Sequence, residues 1–164
     1  MSRLRAGEWI AAIGAVGLLV ALFLPWFGLD LPPSTVAAIV GEASGESGWD
    51  ALGWLTIVFA LAAIGCAAWL ALANAGNRPV AQVVAASVLT ATAGTLAFLA
   101  LALRVLVFQP GPNEFVEPRY GAWLGLLAAL TLALGGWWAT KDDRTDAPES
   151  AYTPPEPRPA PPAA

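Results

Sequence analysis

Four long apolar runs, Gly7 to Phe27, Ala51 to Ala73, Val80 to Phe108 and Tyr120 to Ala139, fill most of this 164-residue chain. Each is long enough, as a helix, to cross a hydrocarbon core that takes about 20 residues. A water-soluble fold of this length has no interior large enough to hide all four. The charged fraction of 12% is well below the roughly 25% of ordinary soluble domains, and the mean hydropathy is +0.63. The runs therefore predict an all-α membrane protein, a four-transmembrane-helix antiparallel bundle.

The expected division is a short N-terminal segment (1–6), a first transmembrane helix (7–28), an outer loop (29–50) and a second helix (51–73). A tight inner turn (74–79), a third helix (80–108), a second outer loop (109–119), a fourth helix (120–140) and a Pro-rich tail (141–164) follow. Arg3, Arg5, Arg78, Lys141, Arg144 and Arg158 fall on one side of this scheme and Arg119 alone in a loop on the other. Lys and Arg near span ends mark the cytoplasmic side, so both termini are predicted cytoplasmic, in a plasma (inner) membrane. The outer loops carry Asp30, Glu42, Glu46, Asp50, Glu114 and Glu117. Nothing in this distribution supports nucleic-acid binding.

The N-terminus has the charges of a signal peptide, but its apolar core exceeds the usual 7–15 residues and ends in Leu24-Pro-Trp-Phe27 rather than a small-residue cleavage site. It reads as a retained first helix. Cys66 is the single cysteine and there is no histidine, which excludes an internal disulfide, His-based triads and His/Cys zinc sites. No catalytic motif is present, no cofactor is implied, and the chain is expected not to be an enzyme.

Trp26, Trp49, Trp54 and Trp123 with Tyr120 are predicted to mark the outer interface, and Trp9, Trp69, Trp137 and Trp138 the inner one, where amphipathic rings favour headgroup depth. Pro25 is the one proline expected inside a span. It lacks the N–H that would bond to the carbonyl of Ala21, so it should kink the outer end of the first helix. Ser47 with Asp50 three residues on fits a helix cap before the second span. Glu8 opens the first helix, where a carboxylate complements the helix dipole. A weak echo between Trp49-Asp-Ala-Leu-Gly53 and Tyr120-Gly-Ala-Trp-Leu-Gly125 would reflect a two-helix duplication. Beyond Lys141 the seven prolines from Pro148 to Pro162 predict a disordered tail with polyproline character.

Two constellations are candidate sites. Gly121, Gly125, Ala129 and Ala133 recur every fourth residue on the last span, a face that lets helix backbones approach, either within the bundle or against another protein. Arg104 is the one basic residue within an apolar run. It reads either as an interfacial ion pair with Asp50, Glu114, Glu117 or Asp30, or as a ligand, headgroup or ion site.

Arg5-Ala-Gly-Glu-Trp9, Leu24-Pro-Trp-Phe27, Ser47-Gly-Trp-Asp50, Arg104 with Pro110-Gly111, and Arg119-Tyr-Gly-Ala-Trp-Leu-Gly125 through Gly135-Gly-Trp137 form an ordered set. With it the chain resembles small four-span integral membrane proteins of unknown function from high-GC bacteria, over roughly residues 3–143. The resemblance implies a plasma-membrane protein and carries over no catalytic residues. Its expected surroundings are the lipid bilayer together with a membrane-protein partner or further copies of itself. Two functional readings follow: a non-enzymatic interaction or accessory protein, and a small oligomeric transporter, channel or lipid-binding protein using Arg104 and the outer carboxylates.

Overall fold

A computed structural model describes residues 5–29, 46–76, 80–109 and 116–145. In chain order the elements are α1 (Ala6–Ala21), β1 (Pro25–Leu29), β2 (Glu46–Ser47), a single-turn α2 (Gly48–Ala51), α3 (Trp54–Ala75), α4 (Val80–Leu106), β3 (Val116–Pro118) and α5 (Tyr120–Thr145). The α3, α4 and α5 helices are long and apolar enough to cross a membrane, and α1 is a shorter apolar helix.

The division of residues across the bundle is the reverse of a soluble protein's. Inside, the buried positions of α3 are Ala60, Ala63, Ala67, Leu70 and Ala73, and α5 buries Gly121, Ala122, Gly125, Ala129, Ala133, Gly135 and Gly136 together with the larger Leu126 and Leu132. Outside stand the large apolar side chains, among them Ile13, Phe23, Leu72, Leu99, Leu127 and Leu134. Such a surface has no favourable water-facing arrangement and suits a solvent of hydrocarbon. With no hydrophobic drive between helices in lipid, association falls to close packing of small residues.

The α1–α5 contact carries this furthest. A Cβ on Gly7 would stand 2.5 Å from the backbone nitrogen of Ala139, and one on Gly14 or Gly135 would collide with the backbone of Leu132 or Ala11 respectively. On its other side α5 meets α4 in the same way, Gly136 against Ala91 and Gly94 against Ala133. The α3 helix packs on α4 and, more lightly, on α1.

The first span is not the single helix over 7–28 that its hydropathy predicts. Helix α1 ends at Ala21 after 16 residues, about 24 Å, and the chain turns through Leu22–Leu24 into β1. This strand is the centre of a three-stranded antiparallel sheet, order β2-β1-β3, with Pro25 opposite Ser47, Phe27 opposite Glu46 and Pro118, Gly28 opposite Glu117 and Leu29 opposite Val116. The expectation of an all-α fold is corrected to a helical bundle with a small sheet at one end.

The cause is Pro25, which stands at the strand's first residue, where its missing N–H is tolerated, instead of inside a helix as a kink. The carbonyl of Ala21 accepts both the backbone N–H of Leu24, at 3.1 Å, and the indole Nε1 of Trp26, at 2.7 Å. Trp26 is accordingly fully buried, which corrects its assignment to the outer belt, whereas Trp49, Trp54, Trp123 and Tyr120 are exposed as expected.

The second span begins later than Ala51. Leu52 adopts an extended backbone that separates α2 from α3, and α3 runs on to Ala75. The two segments of the proposed internal echo therefore differ, since Trp49–Gly53 is broken and Tyr120–Gly125 is continuous helix. The α4 helix closes at Leu106, two residues before the expected Phe108, and α5 continues to Thr145, past the expected end at 140. Asp30, Glu42, Glu114 and the Pro-rich tail from 146 lie outside the described residues.

Candidate functional site

Arg104 lies in the last turn of α4, where a cation complements the carbonyl end of the helix dipole. Its guanidinium reaches two backbone carbonyls. Nη1 donates to Phe108 at 2.6 Å, past the end of its own helix, and Nη2 donates to Ala51 at 2.8 Å, the last residue of α2. The Ala51 carbonyl is one of the orphan carbonyls that a helix end leaves behind, and the Phe108 carbonyl lies two residues beyond the end of α4. Arg104 thus fastens the turn preceding α3 to the end of α4, while its Nε is buried with no hydrogen-bond partner.

Asp50, one of the carboxylates expected beside Arg104, instead accepts the hydroxyl proton of Ser47 at 2.6 Å. Ser47 is the N-cap residue of α2, with its side chain directed to Asp50 rather than to a backbone amide. Glu117 is exposed on β3. Among the described residues, the partners of the Arg104 side chain are the two carbonyls.

The small-residue face of α5 points into the protein. Gly121 lies under the carbonyl of Pro25, and a Cβ on Gly125 would stand 2.5 Å from the Trp26 ring. Ala129 and Ala133 are buried in the helix contacts. These residues make room for β1 and for the indole that caps α1. A Cβ on Gly48 of α2 would stand 2.6 Å from the same indole nitrogen, so three elements converge on Trp26.

At the opposite end of the bundle, Glu8 is 4% exposed. As the third residue of α1, its carboxylate accepts the backbone N–H of Arg5, at 3.2 Å, and the side-chain amide of Asn74 at the end of α3. Burial of a carboxylate is expensive unless its oxygens are bonded, and here both are. Sequence reasoning misses Asn74, although its signal is readable: a polar residue ends one apolar helix while a lone acid begins another.

The other buried polar side chains serve the backbone. Ser87, Thr90 and Thr140 donate to the carbonyls of Val84, Ala86 and Gly136. Thr95 donates to Ala91 at 2.8 Å and accepts from the Trp137 indole at 3.1 Å. Among the described residues no cluster of three or more His, Cys, Asp or Glu is placed to hold a metal ion. Compared with protein-family models, curated proteins and solved structures, the chain matches none of them.

Proposed function

We propose that this chain is a four-span protein of the plasma membrane, with both termini cytoplasmic, that serves as a non-enzymatic interaction or accessory protein. The observation that carries this reading is the apolar exterior wrapped around an interior rich in Ala and Gly where the helices meet. Apart from the Nε of Arg104, the buried polar side chains Glu8, Ser87, Thr90 and Thr140 are engaged with backbone or with one another, which favours a packed structural unit over a solute path through a single chain. The contacts Gly7 with Ala139, Gly14 with Leu132 and Gly121 with Pro25 run in opposite directions along α1 and α5. Asn74 with Glu8 repeats that sense between α3 and α1, as an antiparallel bundle requires. The resemblance to uncharacterised four-span bacterial proteins agrees with this placement.

Helix α1 covers about 24 Å of a core about 30 Å thick, and β1 supplies the remainder. Non-helical backbone near membrane depth is tolerated only when enclosed by protein. Trp26, Phe27 and Gly28 are buried accordingly, and the amide of Arg119 bonds the Trp26 carbonyl at 2.8 Å.

The test is gentle extraction in nanodiscs followed by native mass spectrometry. A stoichiometric protein partner is expected, and a chain that remains solitary would count against the accessory role. Fluorescent-protein and alkaline-phosphatase fusions after Thr145 test the orientation: fluorescence without phosphatase activity is expected, and the reverse pattern would invert the topology. The alternative, a small oligomeric transporter, channel or lipid-binding protein, draws on the unpartnered Nε of Arg104. It requires that Arg104→Gln abolish flux or ligand binding in a folded protein.

A further inference from the structure

We propose that the bundle is matched to a bilayer whose hydrocarbon core is only about 21 Å thick, thinner than the common core of about 30 Å, and that two girdles of exposed aromatic rings set that thickness. The inference rests on the membrane placement above and adds to it the kind of lipid surface the protein fits. The packed glycines relate the helices to one another level by level. Gly7 meets Ala139 and Trp138, Gly14 meets Leu132, and Gly121 meets Leu24 and Pro25. Phe23 therefore stands level with Trp123, and Trp9 with Trp137. On the other side of α5, Gly94 meets Ala133 and Gly136 meets Ala91. Ten residues outward from Gly94 and from Ala133 lie Arg104 and Trp123, so these two are level as well.

The outer girdle consists of Phe23, Trp54, Trp123 and Trp49, all exposed, with Trp49 edge-on to Phe23 at a centroid separation of 5.7 Å. The inner girdle consists of the exposed Trp9, Trp69, Trp137 and Trp138. Leu70, beside Trp69, packs with Ala139, which holds α3 to the same inner level. From Trp123 to Trp137 along α5 the rise is about 21 Å, and from Trp54 to Trp69 along α3 about 22.5 Å. Indole rings favour the headgroup boundary. The ionisable side chains mark the same two planes. Arg104 is level with the outer rings and Glu8, next to Gly7, with the inner ones, and between them the described helices carry no charged side chain. Arg5 and Lys141 follow about one turn farther in. A core about 30 Å thick on the same centre would reach from Tyr120 to Thr140, submerge both girdles and Arg104, and take in β1 as well, using Leu72 and Phe108 as added apolar surface. The girdles instead place the outer boundary where α1 gives way to β1. Tilting the bundle only brings the girdles closer along the membrane normal, so the surplus of about 9 Å is taken up by thinner lipid around the protein.

The test uses the full chain, floated with vesicles of dibrominated dioleoyl phosphatidylcholine that are then prepared with increasing shares of an unbrominated phosphatidylcholine. Bromine quenches tryptophan fluorescence, so recovery of emission reads how strongly each competitor replaces the reference lipid at the protein surface. The competitors, in order of chain length, are the dimyristoleoyl, dipalmitoleoyl, dioleoyl, dieicosenoyl and dierucoyl lipids. Displacement is expected to be strongest for dimyristoleoyl, about twofold above dioleoyl, and to fall along the series. Strongest displacement by dioleoyl or a longer lipid, or equal displacement by all, would overturn the proposal. Trp9→Leu combined with Trp138→Leu opens the inner girdle and should move the optimum to a longer lipid. A folded double variant with the wild-type optimum would show that the rings do not set the thickness. If the pair fails to fold, the wild-type series decides alone. Failure to float would refute the membrane placement itself, whereas floating with an optimum at dioleoyl would refute only the thin core.

Discussion

The indole of Trp26 occupies the place that a backbone amide would hold in a longer helix. Replacing it with Phe keeps most of the ring but removes the 2.7 Å donor, leaving the Ala21 carbonyl with the 3.1 Å bond from the Leu24 amide. Loss of one of two hydrogen bonds to a carbonyl costs about 0.5–1.5 kcal/mol, so Trp26→Phe should unfold at a lower temperature in detergent by a corresponding margin, as differential scanning fluorimetry would record. Arg104→Met removes two charge-assisted bonds to carbonyls and should lower stability by about 2–3 kcal/mol in denaturant titrations. Arg104→Lys should recover part of that loss, because an ammonium can serve one carbonyl but lacks the fork that spans two. The signal for Arg104 was legible as an ionisable residue near a span end. Its acceptors were not, because backbone carbonyls carry no side-chain signature in sequence. Trp26 misled more thoroughly, since an interfacial tryptophan and a buried capping tryptophan have the same neighbours in a hydropathy profile. Pro25 beside it was the informative residue, because it cannot extend the helix and leaves the Ala21 carbonyl open to a side-chain donor beside the Leu24 amide.

Helices α1 and α5 touch through their glycines, and the same residue type has opposite consequences at different positions. Gly135→Ala places a methyl group against the backbone of Ala11 and should cost about 1–3 kcal/mol through overpacking. At Gly65 in α3 an added methyl group would meet nothing within 4 Å, so Gly65→Ala should be neutral or stabilising by up to about 1 kcal/mol. Paired thermal melts of the two variants check both signs. Periodic glycine and alanine on the last span announced a packing face, and the runs of apolar residues announced the helices. The sheet escaped notice because β2 and β3 are two and three residues long, too short for alternation to register. Their pairing with β1 depends on segments distant in sequence. In the same way, Leu52 and Gly53 look like ordinary helix residues in an apolar run, yet they separate α2 from α3.

The helices' fitness to cross a membrane was written in composition and in the spacing of the runs, because the bilayer imposes a length and a polarity that any spanning chain must meet. The arrangement of helices around one another was not, since outward-facing leucines and inward-facing alanines both count as apolar and no polar stripe separates them. Small residues at a few positions settle which faces meet. The most intimate of these contacts joins the first helix to the last, and this fixes an order of events during synthesis. While α3 and α4 are being made, the glycine face of α1 has its eventual neighbour still untranslated, and β1 still lacks β3 on one edge. The bundle can close only when α5 arrives, so the nascent protein remains an open, unfinished assembly until nearly the whole described chain has been delivered to the membrane. A ribosome stalled before Tyr120 should therefore leave a product that cellular quality control recognises and removes, and pulse-chase measurement of such a truncated chain would show rapid loss beside a persistent full-length protein.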